Sequence, residues 1–134
     1  MKVKMNDSVK TLLGSIGKNN SDIKALLKEK SRKVNEVQII MDKKARTKTP
    51  LNERQQQTIH ELTGVYAKEG GLVRQSLMSM EHTIKNNFEK YVTIHTENTE
   101  VFLHTLSVFH KHQSSAIHSL RRMIAVSEET LALL

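Results

Sequence analysis

Asp22-Ile23-Lys24-Ala25-Leu26-Leu27-Lys28-Glu29-Lys30-Ser31-Arg32-Lys33-Val34-Asn35-Glu36-Val37-Gln38-Ile39-Ile40-Met41 is the stretch that decides the fold class. Its apolar residues recur in a 4-3 rhythm that begins upstream: Val9, Leu13, Ile16, Asn20, Ile23, Leu27, Lys30, Val34, Val37 and Met41. Eight of these ten positions are apolar, which is the seam of a coiled coil. One line, Val9, Ile16, Ile23, Lys30 and Val37, is mostly β-branched; the other, Leu13, Asn20, Leu27, Val34 and Met41, alternates with it. β-Branched residues alternating with Leu favour two strands, and a polar residue in a seam, here Asn20 or Lys30, fixes register. Gly14 and Gly17 each weaken a helix by roughly 1 kcal/mol relative to Ala, and Ser21-Asp22 suits a helix start. The reading is a partly ordered segment over 1–21 and a basic helix over 22–46.

Downstream, Thr47-Lys48-Thr49-Pro50 breaks the pattern. Proline lacks a backbone donor and clashes with the preceding turn. Thr49 is placed as N-cap and Pro50 as the first residue of a new helix, so the break occupies 47–49. Over 50–134 an eleven-residue recurrence fits better than seven. Leu62, Val73, Ile84, His95, Leu106 and Ile117 form one series; Met80, Tyr91, Phe102, Gln113 and Ile124 a second; Phe109, Leu120 and Leu131 a third. Such a repeat gives a nearly straight or slightly right-handed supercoil. Gly70-Gly71 is a weak point, suited to a bend or a split. Unbroken, a helix from Gly71 to Leu133 would be roughly 95 Å long. The fold class expected is all-α: long helices forming an extended coiled coil or helical bundle, with a break or kink near Pro50 and Gly70-Gly71 as a second candidate position for one. Ile23, Leu27, Val34, Val37, Leu62, Val73, Leu77, Met80, Ile84, Tyr91, Phe102, Leu106, Phe109, Ile117, Leu120 and Ile124 are expected to form a seam between associated helices of a dimer or tetramer. With three Phe, two Tyr and no Trp in 134 residues, the stripes carry little bulk with which to close a core alone.

Charge is unevenly spread. Residues 1–50 carry 13 Lys and Arg against 5 Asp and Glu, a net +8, whereas 51–134 are close to neutral at −1. A solvated helix face accounts for some of this; the other reading is an acidic partner such as duplex DNA. Lys28, Lys30, Arg32, Lys33, Lys43, Lys44, Arg46 and Lys48 are the candidate phosphate contacts, and Lys43–Lys48 also suits a nuclear-import signal. No aromatic residue lies within 1–50, so base stacking is not expected there and binding would be indifferent to sequence. Cysteine is absent, which excludes disulfides and thiolate metal sites. No signal-peptide pattern and no apolar run of membrane length appear, so membrane insertion is not expected.

Catalytic and metal chemistry find little support. None of His60, His82, His95, His104, His110, His112 and His118 stands three or four residues from another, the spacing at which two ligands share a helix face. There is no nucleophile elbow and no phosphate-cradling glycine loop, and adjacent Glu128 and Glu129 do not face each other on a helix. No enzyme activity, cofactor, metal or small-molecule substrate is expected.

Leu12-Leu13-Gly14-Ser15-Ile16-Gly17, followed by Asp22-Ile23-Lys24-Ala25-Leu26-Leu27-Lys28-Glu29-Lys30-Ser31-Arg32-Lys33, resembles the opening of the coiled-coil core shared by synaptonemal complex protein 3 and related lateral-element proteins of the meiotic chromosome axis. Arg54-Gln55-Gln56-Gln57 and Asn87-Phe88-Glu89-Lys90 are similar to that family's polar, Phe-bearing middle, and the likeness spans 9–125. Pro50 and Gly70-Gly71 depart from its continuous helix. The resemblance implies a self-assembling nuclear rod with DNA contact from its basic end. Two other readings stand beside it: a helical subunit of a cytoplasmic tethering or trafficking complex, and a compact helical-hairpin interaction protein.

Overall fold

The computed structural model describes the backbone over 7–94 and 99–134, and side chains over 10–83 and 103–134. It contains three long helices: α1 (Asp7–Arg46), α2 (Glu53–Ile94) and α3 (Thr99–Leu133). At about 1.5 Å per residue they are roughly 60, 63 and 52 Å long. No strand occurs among the described residues, and the all-α class read from the 4-3 rhythm holds.

α1 begins at Asp7, fifteen residues before the expected boundary. Gly14 and Gly17 lie inside it because tertiary packing outweighs their propensity: Ile16 is buried and Leu12 packs on the same core. Ser21, expected near a helix start, returns its hydroxyl to the Gly17 carbonyl within the helix.

The end of α1 is a backbone motif. Thr49 N–H donates to the Lys44 carbonyl at 2.9 Å and Lys48 N–H to the Ala45 carbonyl at 3.3 Å. Lys48 takes the left-handed conformation, with φ of 53°. This pair of bonds with a left-handed residue is the Schellman stop, normally built on glycine. α2 then opens on a capping box: Gln55 N–H donates to Asn52 Oδ1 at 2.8 Å, and Asn52 N–H to Gln55 Oε1 at 2.9 Å. The N-cap is therefore Asn52 rather than Thr49, and Pro50 sits in the connector rather than in the first turn. Gly70-Gly71 does not interrupt α2, which runs straight through it. Flanking Glu69 and Val73 are both buried and hold that stretch in place.

The expected helical region of 50–134 is two helices, and contacts between them fix their direction. Gln55 meets Leu133, Tyr66 meets Ser127, and Glu69 meets Arg122, so α2 and α3 are antiparallel. Ile16 and Asn20 meet Gln113, and Lys33 meets Glu128, so α1 and α3 are parallel. The result is an up-down-up bundle. α3 packs on both other helices, whereas among the described residues no Cα of α1 comes within 8 Å of one of α2. Ile16, Ile23, Val73, Met80, Phe109, Ala116, Ile117, Leu120 and Met123 form the shared core.

Candidate interaction surfaces

The predicted seam residues divide by exposure. Ile23, Val37, Val73, Met80, Phe109, Ile117, Leu120 and Ile124 are buried among the helices of one chain. Leu27, Leu62, Leu77 and Leu106 are half-buried, and Val34 is 42 % exposed. The side chains of Ile84, Tyr91 and Phe102 lie outside the described residues, as does His95. The eleven-residue stripes of α2 and α3 therefore meet each other: the second half of the chain supplies much of the partner surface expected from another molecule.

Polar side chains set the register between helices. Gln113, fully buried, donates through Nε2 to the Ile16 carbonyl at 3.1 Å and to Asn20 Oδ1 at 2.7 Å. Both residues stood out in the sequence as polar members of apolar stripes, and the structure joins them to each other. Gln113 Oε1 is buried without a hydrogen-bond partner, a cost that an apolar residue would not carry. On the other flank of α3, Tyr66 and Ser127 share a hydrogen bond. Burial raises the Tyr66 hydroxyl above its usual range, with the Ser127 bond acting in the opposite sense. Glu69, 3 % exposed, lies 3.5 Å from the Arg122 guanidinium. Sequence reading missed Tyr66–Ser127 and Glu69–Arg122 because neither pair has a local spacing signal.

The line Val34, Met41, Ile59, Leu62 and Tyr66 borders an open groove of about 350 Å³ between α1 and α2, with buried Ser127 of α3 at its floor. α1 contributes Val34 and Met41 from the second line of its 4-3 rhythm and Val37 from the first. Only weak cover exists there, since neither flanking helix backbone approaches the other.

The eight candidate phosphate contacts also separate. Arg32 is held by Glu29 at 2.6 Å and Glu36 at 3.0 Å, and the Arg32 hydrogen bond holds the Glu29 carboxyl below its usual range. Lys33 reaches Glu128 at 3.8 Å across the α1–α3 contact. Lys30 and Lys44 are half-buried. Lys28, Lys43, Arg46 and Lys48 are exposed; the first three share one face of α1 by their spacing. Arg32 and Lys33 thus already have carboxylate partners within the chain, leaving the four exposed cations as its freest positive charges among those eight.

Among the described residues no group of three or more His, Asp or Glu is placed to hold a metal ion, and no helix is long and apolar enough to cross a membrane. The chain matches no protein-family model, no curated protein and no solved structure.

Proposed function

We propose that this chain is a non-catalytic helical assembly protein that associates with a second copy of itself through the open groove between α1 and α2. The observation that carries this reading is the open end of the second stripe of α1, with Val34 42 % exposed and half-buried Met41, Ile59 and Leu62 beside it. A three-helix arrangement in which only the central helix touches both neighbours leaves the position of a fourth helix empty, and a four-helix bundle is the packing that fills it. Sedimentation equilibrium at tens of micromolar tests this. The expected result is a dimer or larger species that Val34→Asp converts to a monomer of unchanged helicity; a well-folded wild-type monomer overturns it.

The resemblance to lateral-element proteins supports placing such an assembly in the nucleus, on meiotic chromosome axes. Exposed Lys28, Lys43, Arg46 and Lys48 support weak, sequence-independent contact with duplex DNA. Fluorescence anisotropy with two unrelated duplexes is the test. Binding should fall steeply with salt and be lost when Lys43, Lys44, Arg46 and Lys48 are all changed to Ala. No binding at low salt would favour the cytoplasmic tethering subunit instead.

A further inference from the structure

On the side of the α1–α3 contact away from the α1–α2 groove runs a second cleft, of about 440 Å³. Its α1 wall carries Lys18, Asn19 and Asp22; its α3 wall carries His110, His118 and Arg121. The spacing of His110, His118 and Arg121, eight and then three residues apart, returns all three to one face of α3. From His110 to Arg121 this wall is roughly 16 Å long. Because α1 and α3 are parallel, Lys18 and Asn19 lie along the same cleft rather than at its end.

Among the described residues, the basic groups gathered in this cleft have no carboxylate within ion-pair distance, unlike the cations that tie the helices together. Arg32, Lys33 and Arg122 each lie within 4 Å of a carboxylate. Lys18, His110, His118 and Arg121 do not, although Asp22, the one acid in the cleft, is close by. Two fixed positive charges, two imidazoles and an amide donor therefore face a shared space against a single negative charge. Among the described residues no ion pair of the bundle uses them.

We infer that this cleft is a binding site for a ligand carrying two or more phosphoryl groups. A guanidinium offers a planar fork that matches phosphate oxygens in pairs, and an ammonium supplies a point charge that accepts any orientation. Histidine donates to the same oxygens through a ring N–H. The length of the wall suits several phosphoryl groups in a row better than one, since Lys18 and the widely spaced donors of α3 cannot all reach a single tetrahedral anion. The site is independent of the α1–α2 groove and of the exposed lysines at the end of α1.

Inorganic tripolyphosphate is the probe, read by the ring proton resonances of the histidines at pH 7.5, with His110→Gln and His118→Gln supplying the assignments. The His110 and His118 signals should move saturably while His60, exposed on α2, stays in place. Lys18→Ala combined with Arg121→Ala should weaken binding at least tenfold without changing helicity, since both side chains are exposed. Asp22→Asn should strengthen it severalfold, and this variant decides the matter if the double variant folds poorly. Three results overturn the inference: no movement of His110 and His118 at millimolar tripolyphosphate; equal drift of every histidine, which marks diffuse screening; or a response to a short DNA duplex with none to tripolyphosphate.

Discussion

The two apolar lines of α1 look alike in sequence and differ in the fold. Ile16, Ile23 and Val37 of the first line are buried, and the first two belong to the core shared with α3. Leu13, Leu27 and Met41 of the second are half-buried, while Asn20 and Val34 are exposed. In a two-stranded coiled coil both lines would share one partner. Here Ile16 and Ile23 of the first line, with Asn20 and Leu27 of the second, pack toward the core shared with α3, and further along Val34 and Met41 border the space between α1 and α2, with Val37 beside them. A 4-3 rhythm therefore specifies a width of apolar surface but not how many neighbours cover it. α3 shows the other extreme: Gln113, Ala116, Leu120, Met123, Ser127 and Thr130 are all at or below 1 % exposure, because a helix lies on each side.

The largest expected effect is a charge placed in the covered line. Ile23→Asp should destabilise the fold by about 3–5 kcal/mol, the range for an uncompensated charge in an interior. Val34→Asp should change the stability of the isolated chain by less than about 0.5 kcal/mol, as for an exposed position. Urea denaturation of both, at concentrations low enough to suppress association, separates them. Equal losses would mean that the two lines are buried alike and that the comparison fails. Next in size is Leu120→Ala at the centre of α3. Removing a fully buried leucine side chain costs about 2–5 kcal/mol, against little for Ile39→Ala at a site 55 % exposed.

The helical class and the apolar stripes were readable from spacing alone, since periodicity is a local signal that a single helix displays in full; that the stripes of one chain cover each other, where a seam between molecules was expected, was not. The number of helices in the second half was harder to read. An eleven-residue recurrence continues in the same way whether a chain runs on or folds back, so Leu62 and Val73 on one side and Leu106 and Ile117 on the other gave no sign that they lie on antiparallel helices. The glycines misled in the same direction twice: Gly14 and Gly17 seemed to delay α1, and Gly70-Gly71 to bend or divide α2. In each case buried neighbours, Ile16 for the first pair and Glu69 and Val73 for the second, supply the free energy that local propensity lacks. The phosphate-type cleft was out of reach for another reason. Lys18 and Arg121 are about a hundred positions apart, and only the parallel packing of α1 and α3 brings them to one space.

Smaller effects test the corner that sets α1 and α2 side by side. Lys48 holds a left-handed conformation at a position that favours glycine. Lys48→Gly should therefore stabilise the bundle by about 1 kcal/mol, the order of the left-handed penalty for a residue with a Cβ. An added Cβ at Gly70 meets no atom within 4 Å, so Gly70→Ala should add a similar amount through helix propensity. Thermal melting checks both. A loss from Gly70→Ala would show that the glycine serves something other than the helix, such as close approach of a second chain, and would sharpen the contrast between covered and uncovered faces.

The smallest expected effect appears only at high pH and belongs to the contact between α2 and α3. Burial raises the Tyr66 hydroxyl above its ordinary value of 10.0, and the Ser127 hydrogen bond offsets only part of that rise. The folded chain thus keeps this proton to a higher pH than the unfolded chain does. Its contribution to stability is full below the unfolded value and is lost as pH rises through the folded one. Urea midpoints should accordingly fall above pH 10, and Tyr66→Phe should flatten that part of the decline. At neutral pH the same substitution removes one hydrogen bond, worth about 0.5–1.5 kcal/mol, and leaves Ser127 still bonded to the Met123 carbonyl at 2.8 Å. Absorbance of the tyrosinate band, compared between the wild type and Tyr66→Phe, isolates this residue from Tyr91. A Tyr66 that titrates at or below 10 would mean that water reaches its hydroxyl, and that α2 sits less tightly on α3 at this level of the bundle than Ser127 and Thr130, both nearly inaccessible, indicate.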